Sequence, residues 1–138
     1  MSLVLLDTGP LVAMLNRSER YHQRCVDLLT TPQWTLLTCE PVIVEACFIL
    51  RGVHGAASDI LANIRNGLIG VPYRLEDRAA EVGKLVSKFA DTPMSLADGC
   101  LVDMASQLKT GRILTLDADF RVYRWGRKQP FELLIDVD

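Results

Sequence analysis

The stretch LVLLDTGP, at residues 3–10, decides the fold of this chain. Its first four residues are apolar and form a run short enough for a buried strand, which Asp7 ends. A turn follows, in which Pro10 is placed to open a helix that extends to about Asn16. A buried strand, an acid and a helix in this order are typical of an α/β unit, in which ligands collect at the carboxyl ends of the strands.

The rest of the chain alternates apolar runs with segments of helical apolar spacing. Such alternation is typical of a mostly parallel sheet covered on both faces, so we predict an α/β fold with a sheet of this kind. Gly111 is expected to end the last helix. The further predicted helices cover about residues 18–30, 41–51, 56–68, 75–89 and 95–110, and the further strands cover residues 34–38, 70–73, 112–116 and 131–135.

The composition is that of an ordinary folded domain, with 49% hydrophobic and 23% charged residues in a chain of 138. A chain of this length buries roughly 68% of the surface that its unfolded form exposes, which is enough for one core. Since no repeat or long linker divides the sequence, we predict a single domain over residues 1–138. The longest apolar stretch, residues 41–50, is too short to span a bilayer, and the N-terminus lacks the basic region of a signal peptide. We therefore expect neither a membrane protein nor a secreted one.

Cysteine and histidine usage argues against several kinds of site. The cysteines lie beside apolar residues and never at C-x-x-C spacing, so we interpret them as buried thiols in a reducing cytosol, not as disulfides or zinc ligands. The two histidines have no nucleophile motif beside them, which argues against a Ser-His-Asp or Cys-His catalyst. The residues concerned are Cys25, Cys39, Cys47, Cys100, His22 and His54.

The formal net charge of −2 argues against a protein that coats nucleic acid broadly. The net charge misleads, however, if several acids gather in one pocket, since the remaining surface is then mildly positive. Basic residues cluster locally, at residues 17–24 and 121–128. Each cluster has two interpretations, a solvated helix face or a patch that contacts phosphates.

Acids stand at the ends of predicted strands and at the start of a predicted helix. Asp7 and Asp117 each follow an apolar strand, and Asp119 is a second candidate two residues later. Asp98 stands three residues after Ser95, a spacing typical of a capping box. Capping of the helix or turn that follows is an alternative role for each of these acids.

Glu45 interrupts a predicted helix that is apolar nearly all round, and no Lys or Arg lies three or four positions away to pair with it. The sequence therefore predicts a buried charge, which is costly unless something compensates it, and a metal ion is one answer. Asp103 lies five residues beyond Asp98, so it points roughly 140° away on the same helix. We expect Asp103 to face solvent and exclude it from the site.

Carboxylates without histidine suit a hard cation such as Mg²⁺ or Mn²⁺ better than zinc. Such a cluster is typical of phosphodiester chemistry, in which the cation activates water and stabilises the charge of an in-line displacement. A site built from the four acids would therefore indicate hydrolysis of a phosphodiester.

Four motifs together resemble those of a PIN domain, in their order and in their spacing, over essentially the whole chain. The resemblance is closer still to the VapC-type toxin ribonucleases. Leu-Ala-Asp followed by Thr-Leu-Asp-x-x-Phe is the most telling pair. The motifs are LLDTGPLVA at residues 5–13, PVIVEA at 41–46, MSLAD at 94–98 and ILTLDADF at 113–120.

The resemblance implies a three-layer α/β/α fold, a Mg²⁺ or Mn²⁺ site, RNA endonuclease activity, a homodimer and inhibition by a small VapB-like antitoxin. It assigns the acidic quartet to Asp7, Glu45, Asp98 and Asp117, with Asp7 and Asp98 as direct ligands of the metal. Gly99 departs from the alanine expected after Leu-Ala-Asp. Because glycine is a weak helix former, it is expected to loosen the backbone next to a ligand.

We therefore predict a cytoplasmic, metal-dependent endoribonuclease that leaves 5′-phosphate and 3′-hydroxyl ends, in which the three aspartates bind Mg²⁺ and Glu45 positions the attacking water. Thr115 either orients a neighbouring acid through its hydroxyl or is a satisfied strand residue. One alternative function is a PIN fold that binds RNA or a partner without cleaving. A second is a receiver-type signalling module, which needs an acceptor aspartate after a central strand and a lysine after a late one. Cys39 and Asp136 follow the corresponding predicted strands instead.

Overall fold

The computed structural model describes residues 2–137. Met1 and Asp138, the two ends of the predicted domain, lie outside the described residues. The predicted helices and strands are present in the predicted order, and a 3₁₀ helix and two short strands that the sequence did not predict lie before the last strand. The strands are β1 (Ser2–Leu6), β2 (Trp34–Leu37), β3 (Ile69–Gly70), β4 (Arg112–Leu114), β5 (Arg124–Trp125), β6 (Gln129–Pro130) and β7 (Glu132–Leu133). The helices are α1 (Thr8–Leu15), α2 (His22–Leu29), α3 (Glu40–Ile49), α4 (Ala56–Arg65), α5 (Leu75–Lys88) and α6 (Leu96–Leu108), with a 3₁₀ helix at Ala118–Arg121.

Five strands form one parallel sheet in the order β3-β2-β1-β4-β7, and β5 and β6 form a separate antiparallel hairpin. The central strand β1 pairs with β2, where Val4 lies opposite Leu36, and with β4, where Leu6 lies opposite Leu114. This arrangement confirms the predicted α/β fold with a mostly parallel sheet. It also excludes the receiver-type alternative, because the sheet strands run 3-2-1-4-5 in chain order and not 2-1-3-4-5.

Both faces of the sheet are covered. Val4, Leu5 and Leu6 of β1 are all fully buried, and successive side chains of a strand point to opposite faces. Ile113 and Leu114 of β4 are fully buried in the same way. The chain therefore has the three-layer α/β/α architecture that the resemblance implies.

The order of the strands places a crevice at the centre of the sheet. From β1 the chain continues to β2 and β3 on one side, and it returns to β4 and β7 on the other. In a parallel sheet, a ligand crevice opens at the carboxyl ends of the strands where this reversal occurs. Asp7 follows β1 and Asp117 comes shortly after β4, so both acids lie at the crevice.

The ends of several elements differ from the predictions. Helix α2 begins at His22, four residues later than predicted, because residues 17–21 form turns. Helix α6 ends at Lys109, which adopts the left-handed conformation with a φ of 55°. Gly111 therefore does not end that helix. It leaves room for Trp125, since a Cβ at position 111 would lie 2.9 Å from the indole Cε2.

The expectation that Asp103 faces solvent is wrong. Its buried Oδ2 accepts hydrogen bonds from the Tyr73 hydroxyl at 2.7 Å and from Arg78 Nε at 2.8 Å, and its Oδ1 accepts one from Arg78 Nη2 at 2.9 Å. Burial raises the pKa of Asp103, but the hydrogen bonds from Arg78 and Tyr73 outweigh burial and leave it below its ordinary value. The physical reason for the error is that α5, which carries Arg78, packs against this side of α6.

The thiols are free, as predicted. Cys25, Cys39 and Cys100 are buried, whereas Cys47 is half-buried. Over the described residues, no helix has both the length and the apolar character required to cross a bilayer.

Candidate active site

A pocket of about 500 Å³ lies at the carboxyl ends of β1 and β4, and all four predicted acids line it. Asp7 follows β1, Glu45 lies in α3, Asp98 lies in the first turn of α6, and Asp117 follows β4. The fold thus brings together carboxylates that are far apart in sequence. Glu19, in the loop between α1 and α2, also lines the pocket, and no pattern in the sequence around it indicated this.

Asp7 caps a helix and lines the pocket at the same time. Its Oδ1 accepts a hydrogen bond from the backbone N–H of Thr8 at 2.8 Å, and its Oδ2 accepts one from Thr115 Oγ1 at 2.6 Å. Desolvation raises the pKa of the buried Asp7 to about 6, although both hydrogen bonds lower it. The charges of Asp98 and Asp117 also raise this pKa, and the value of about 6 includes their effect. The two predicted roles of Asp7 are therefore compatible.

The hydroxyl of Thr115 connects two of the acids. It donates to Asp7 Oδ2 and accepts a hydrogen bond from the backbone N–H of Asp117 at 3.0 Å. Thr115 is fully buried, so this hydroxyl fixes the end of β1 relative to the segment after β4. Of its two predicted roles, the structure supports orientation of a neighbouring acid.

Asp98 forms both halves of a capping box at the start of α6. Its Oδ2 accepts a hydrogen bond from the backbone N–H of Ser95 at 3.0 Å, and Ser95 Oγ accepts one from the backbone N–H of Asp98 at 3.1 Å. Desolvation raises the pKa of Asp98, the hydrogen bonds with Ser95 lower it, and the charges of Asp117 and Asp119 raise it. Among residues 2–137, no donor bonds to Oδ1 of Asp98, so capping leaves one oxygen for a ligand.

The prediction that Glu45 is a fully buried charge is wrong, although Glu45 does line the pocket. Its side chain is exposed, and α3 also exposes Val44 and Phe48, at 68% and 64%. The apolar composition of this helix therefore reflects an exposed apolar side as well as a buried one. Partial desolvation and then the charge of Asp98 raise the pKa of Glu45. The Thr8 hydroxyl opposes this rise, although the two side chains form no hydrogen bond.

Asp117 caps the 3₁₀ helix after β4, because its Oδ1 accepts a hydrogen bond from the backbone N–H of Asp119 at 2.9 Å. The capping role left open by the sequence is thus present here too. Asp119 is half-buried and is not part of the pocket lining, yet its charge raises the pKa of Asp98. Asp119 therefore acts on the site through its charge.

Tyr123 contacts the site and was not indicated by the sequence. It is fully buried, and its hydroxyl lies 3.5 Å from Asp98 Oδ2. Burial and then the charges of nearby acids, Asp98 first, raise the pKa of Tyr123, so the hydroxyl keeps its proton and can donate.

Gly99 lies where α5 packs against the start of α6. A Cβ at this position would lie 3.2 Å from Val82 Cγ1 and 3.3 Å from Val86 Cγ2. The glycine therefore lets α5 pack closely against the turn that carries Asp98.

The donors in the pocket fit a hard divalent cation. The acids that line it supply oxygen atoms, and the charges on Asp98 and Asp117 raise the pKa of Asp7, a repulsion that a cation relieves. Thr8 Oγ1 is buried at the pocket and has no hydrogen-bond partner within residues 2–137. In this part of the chain, no three His, Cys, Asp or Glu side chains are already grouped to hold an ion. Mg²⁺ retains several waters and needs only one or two carboxylates, so an open arrangement suits it.

A sequence profile of the PIN domain matches residues 4–126, which is most of the chain. The chain therefore belongs to the PIN domain family, as its sheet order and acidic pocket also indicate. This confirms the resemblance drawn from the four motifs.

Two relatives make the similarity more specific. The chain is 27% identical to Ribonuclease VapC26 of Mycobacterium tuberculosis over 118 residues, which cover 83% of this chain and 86% of the relative. The crystal structure of VapC20, a sarcin-ricin loop cleaving toxin of Mycobacterium tuberculosis, superposes with a TM-score of 0.76 at 20% identity. That superposition covers 92% of this chain and 99% of VapC20, and it confirms the fold.

Proposed function

We propose that this chain is a metal-dependent endoribonuclease of the VapC type, the toxin of a type II toxin-antitoxin pair. The observation that carries the proposal is the convergence of four acids from four separate elements on one pocket of a PIN fold. Similarity to Ribonuclease VapC26 supports RNA as the substrate class. The alternative, a PIN fold that binds RNA or a partner without cleaving, does not require four carboxylates in one pocket. The four acids are Asp7, Glu45, Asp98 and Asp117.

Each acid has a role in this proposal. A bound Mg²⁺ or Mn²⁺ would supply Lewis acidity and stabilise the charge of an in-line displacement at phosphorus. Asp7 and Asp98 would hold the cation directly, with Asp117 as a third ligand. The hydroxyl of Thr115 fixes the position of Asp7 relative to Asp117. Glu45, on the exposed side of the pocket, positions the attacking water. The products would carry 5′-phosphate and 3′-hydroxyl ends.

The two basic clusters contribute differently to RNA binding in this proposal. Arg121 donates to the carbonyl oxygen of Val137, and Arg124 donates to those of Arg121 and Tyr123, so both guanidinium groups support the fold. Arg127 and Lys128, in the turn between β5 and β6, are exposed and make no hydrogen bond or ion pair with the described residues. We therefore assign phosphate contacts to these two residues and to the exposed Arg17, beside the loop that carries Glu19.

The proposal includes partners and a compartment. We expect a VapB-like antitoxin as a partner, which the similarity to VapC proteins supports, and we expect the chain to form a homodimer. The free thiols of Cys39 and Cys100 suit a reducing cytoplasm. A neighbouring reading frame for a small DNA-binding protein with an amphipathic tail would support the toxin role. Sedimentation of the purified chain, alone and with that protein, tests both associations.

The test of the activity is cleavage of structured RNAs by the purified chain with Mg²⁺, with Mn²⁺ and with excess chelator. A sarcin-ricin loop oligonucleotide belongs among them, because VapC20 is described as cleaving that loop. We expect cleavage only with a cation, and none by Asp7→Asn. Asp103→Asn is the matched control and should cleave, because Asp103 is a buried acid of α6 outside the pocket.

Two outcomes would contradict the proposal. Cleavage in excess chelator, or products that end in a cyclic phosphate, would exclude the metal mechanism. RNA binding without cleavage under every condition would favour the non-cleaving alternative.

A further inference from the structure

Asp98 Oδ2 has two donors, and they come from two separate segments of the chain. The backbone N–H of Ser95, one turn away, lies at 3.0 Å, and the hydroxyl of Tyr123 lies at 3.5 Å. Tyr123 follows the 3₁₀ helix that Asp117 caps. The contact therefore connects the turn after β4 to the first turn of α6.

The ring of Tyr123 is held firmly, although its hydroxyl contact is long. Phe89 packs edge-on against it with ring centroids 5.2 Å apart, and Phe120 packs edge-on at 5.1 Å. Phe120 is fully buried and packs in turn on Phe131 at 5.3 Å. Because aromatic neighbours hold the ring on two sides, its hydroxyl oxygen is held beside Asp98.

We propose that Tyr123 is a positioning residue for Asp98, whose hydroxyl, together with the Ser95 N–H, turns the carboxylate so that Oδ1 is presented to the pocket. The inference rests on the proposed function, because it assigns Oδ1 to the cation. Two donors on one oxygen define the plane of a carboxylate better than one, and the other oxygen then has a defined direction. Residues that orient ligands in this way typically change metal affinity or activity by about 10-fold to 100-fold when they are lost.

The chain contains a matched control for this contact. Tyr73 also donates its hydroxyl to a buried aspartate of α6, Asp103, at 2.7 Å. That aspartate is not part of the pocket lining. Loss of the Tyr73 hydroxyl therefore reproduces the loss of a buried tyrosine hydrogen bond at an aspartate outside the pocket that Asp98 lines.

The experiment compares Tyr123→Phe and Tyr73→Phe in the full chain. Calorimetry measures Mn²⁺ binding, gel assays measure RNA cleavage, and hydrogen exchange in chelator measures the protection of the Ser95 amide. We expect Tyr123→Phe to bind Mn²⁺ about 10-fold more weakly, to cleave RNA about 10-fold to 100-fold more slowly, and to exchange the Ser95 amide several-fold faster. Tyr73→Phe should melt lower than wild type and keep all three properties within about twofold.

Each contrary outcome has a separate meaning. Wild-type Mn²⁺ affinity and cleavage in Tyr123→Phe would overturn the positioning role, and so would equal losses in both variants. A wild-type chain that neither binds Mn²⁺ nor cleaves RNA would instead overturn the proposed function. In that case, hydrogen exchange of the Ser95 amide in chelator still tests whether the Tyr123 hydroxyl orients the Asp98 carboxylate. Unchanged protection of this amide in Tyr123→Phe would overturn that role.

Discussion

Both carboxylate oxygens of Asp7 are engaged, Oδ1 by the backbone N–H of Thr8 and Oδ2 by the hydroxyl of Thr115. These contacts start α1 and join it to the end of β4, and they also fix the direction of the carboxylate in the pocket. The ionised form of Asp7 is nevertheless destabilised, because desolvation outweighs the two hydrogen bonds and raises its pKa to about 6. A cation bound at the pocket would offset this destabilisation.

The metal-free chain should therefore lose stability as the pH rises. In the unfolded chain the pKa of Asp7 is about 3.9, whereas in the folded chain it is about 6. The folded state thus binds the proton of Asp7 more tightly than the unfolded state does. Its contribution to the free energy of unfolding is fully present below pH 4 and is lost as the pH rises through about 6. The loss is at most about 3 kcal/mol. Thermal melts in chelator between pH 4.5 and 7.5 measure it. Asp7→Asn cannot titrate and should lack this component, so equal pH slopes in both proteins would contradict the assignment.

Glu45→Gln should abolish cleavage without destabilising the fold. The substitution removes the charge that positions the attacking water, and such groups contribute about 100-fold to 10,000-fold to a rate. Because the side chain is exposed, the free energy of unfolding should change by no more than about 0.5 kcal/mol. RNA cleavage and urea unfolding measure the two effects. Glu40→Gln, an exposed acid in the first turn of the same helix, is the control and should cleave normally. Normal cleavage by Glu45→Gln would leave Glu45 without a catalytic role.

At the scale of elements, α5 and α6 are joined by an ion pair between the half-buried Arg78 and the buried Asp103. The guanidinium of Arg78 and the hydroxyl of Tyr73 together satisfy both oxygens of Asp103. Gly99 allows the same two helices to approach closely near Asp98. Contacts outside the pocket therefore join α5 to α6.

Asp103→Ala should destabilise the chain by about 1–3 kcal/mol, because it leaves the buried Tyr73 hydroxyl without an acceptor. The folded pKa of Asp103 lies below its ordinary value, so its ionised form stabilises the fold above about pH 4 and this contribution is lost as the pH falls through the folded pKa. Urea unfolding at pH 7 and at pH 3.5 measures both effects. The difference in the free energy of unfolding between Asp103→Ala and wild type should be smaller at pH 3.5 than at pH 7. A difference that is the same at both pH values would contradict the role of the charge.

Gly111→Ala should disturb the hairpin of β5 and β6. An added Cβ would overlap the indole Nε1 of Trp125, which donates to the carbonyl oxygen of Pro130 at 3.1 Å, and would lie 3.2 Å from that oxygen. Overpacking of this kind costs about 1–3 kcal/mol, measured by urea unfolding and by a change in tryptophan fluorescence. Gly83→Ala is the control. Its Cβ meets nothing within 4 Å in α5, so it should stabilise the chain by up to about 1 kcal/mol.

At the scale of the whole molecule, a cation would connect elements that otherwise repel one another. The pocket draws acids from the ends of β1 and β4 and from α3 and α6. Since only the folded chain gathers these ligands, binding adds directly to its stability.

Mg²⁺ should therefore raise the melting temperature of wild type much more than that of Asp98→Asn. At 100 times the dissociation constant, binding adds about 2.7 kcal/mol, or several degrees. In chelator the mutant should melt no lower than wild type, because an asparagine oxygen can still accept the Ser95 N–H while repulsion from Asp117 and Asp119 is removed. A metal-independent loss in the mutant, with no Mg²⁺ shift in wild type, would show that Asp98 acts only as a cap.

Sequence alone determined those features that depend on near neighbours. An apolar run that ends at Asp7, and a serine three residues before Asp98, are local patterns that predict a strand end and a helix start. The alternation of such segments predicted the parallel sheet. The carboxyl ends of parallel strands meet at one edge, so the convergence of Asp7 and Asp117 could be predicted as well.

Only the tertiary structure decided which side of a helix is covered. Asp103 is buried because α5 packs on it, and Glu45 is exposed because none of residues 2–137 covers that side of α3, although the sequence predicted the reverse for both. The place of Glu19 in the pocket and the contact of Tyr123 with Asp98 likewise depend on segments far apart in the chain. Periodicity specifies a direction around a helix axis, but burial depends on what the rest of the chain places in that direction.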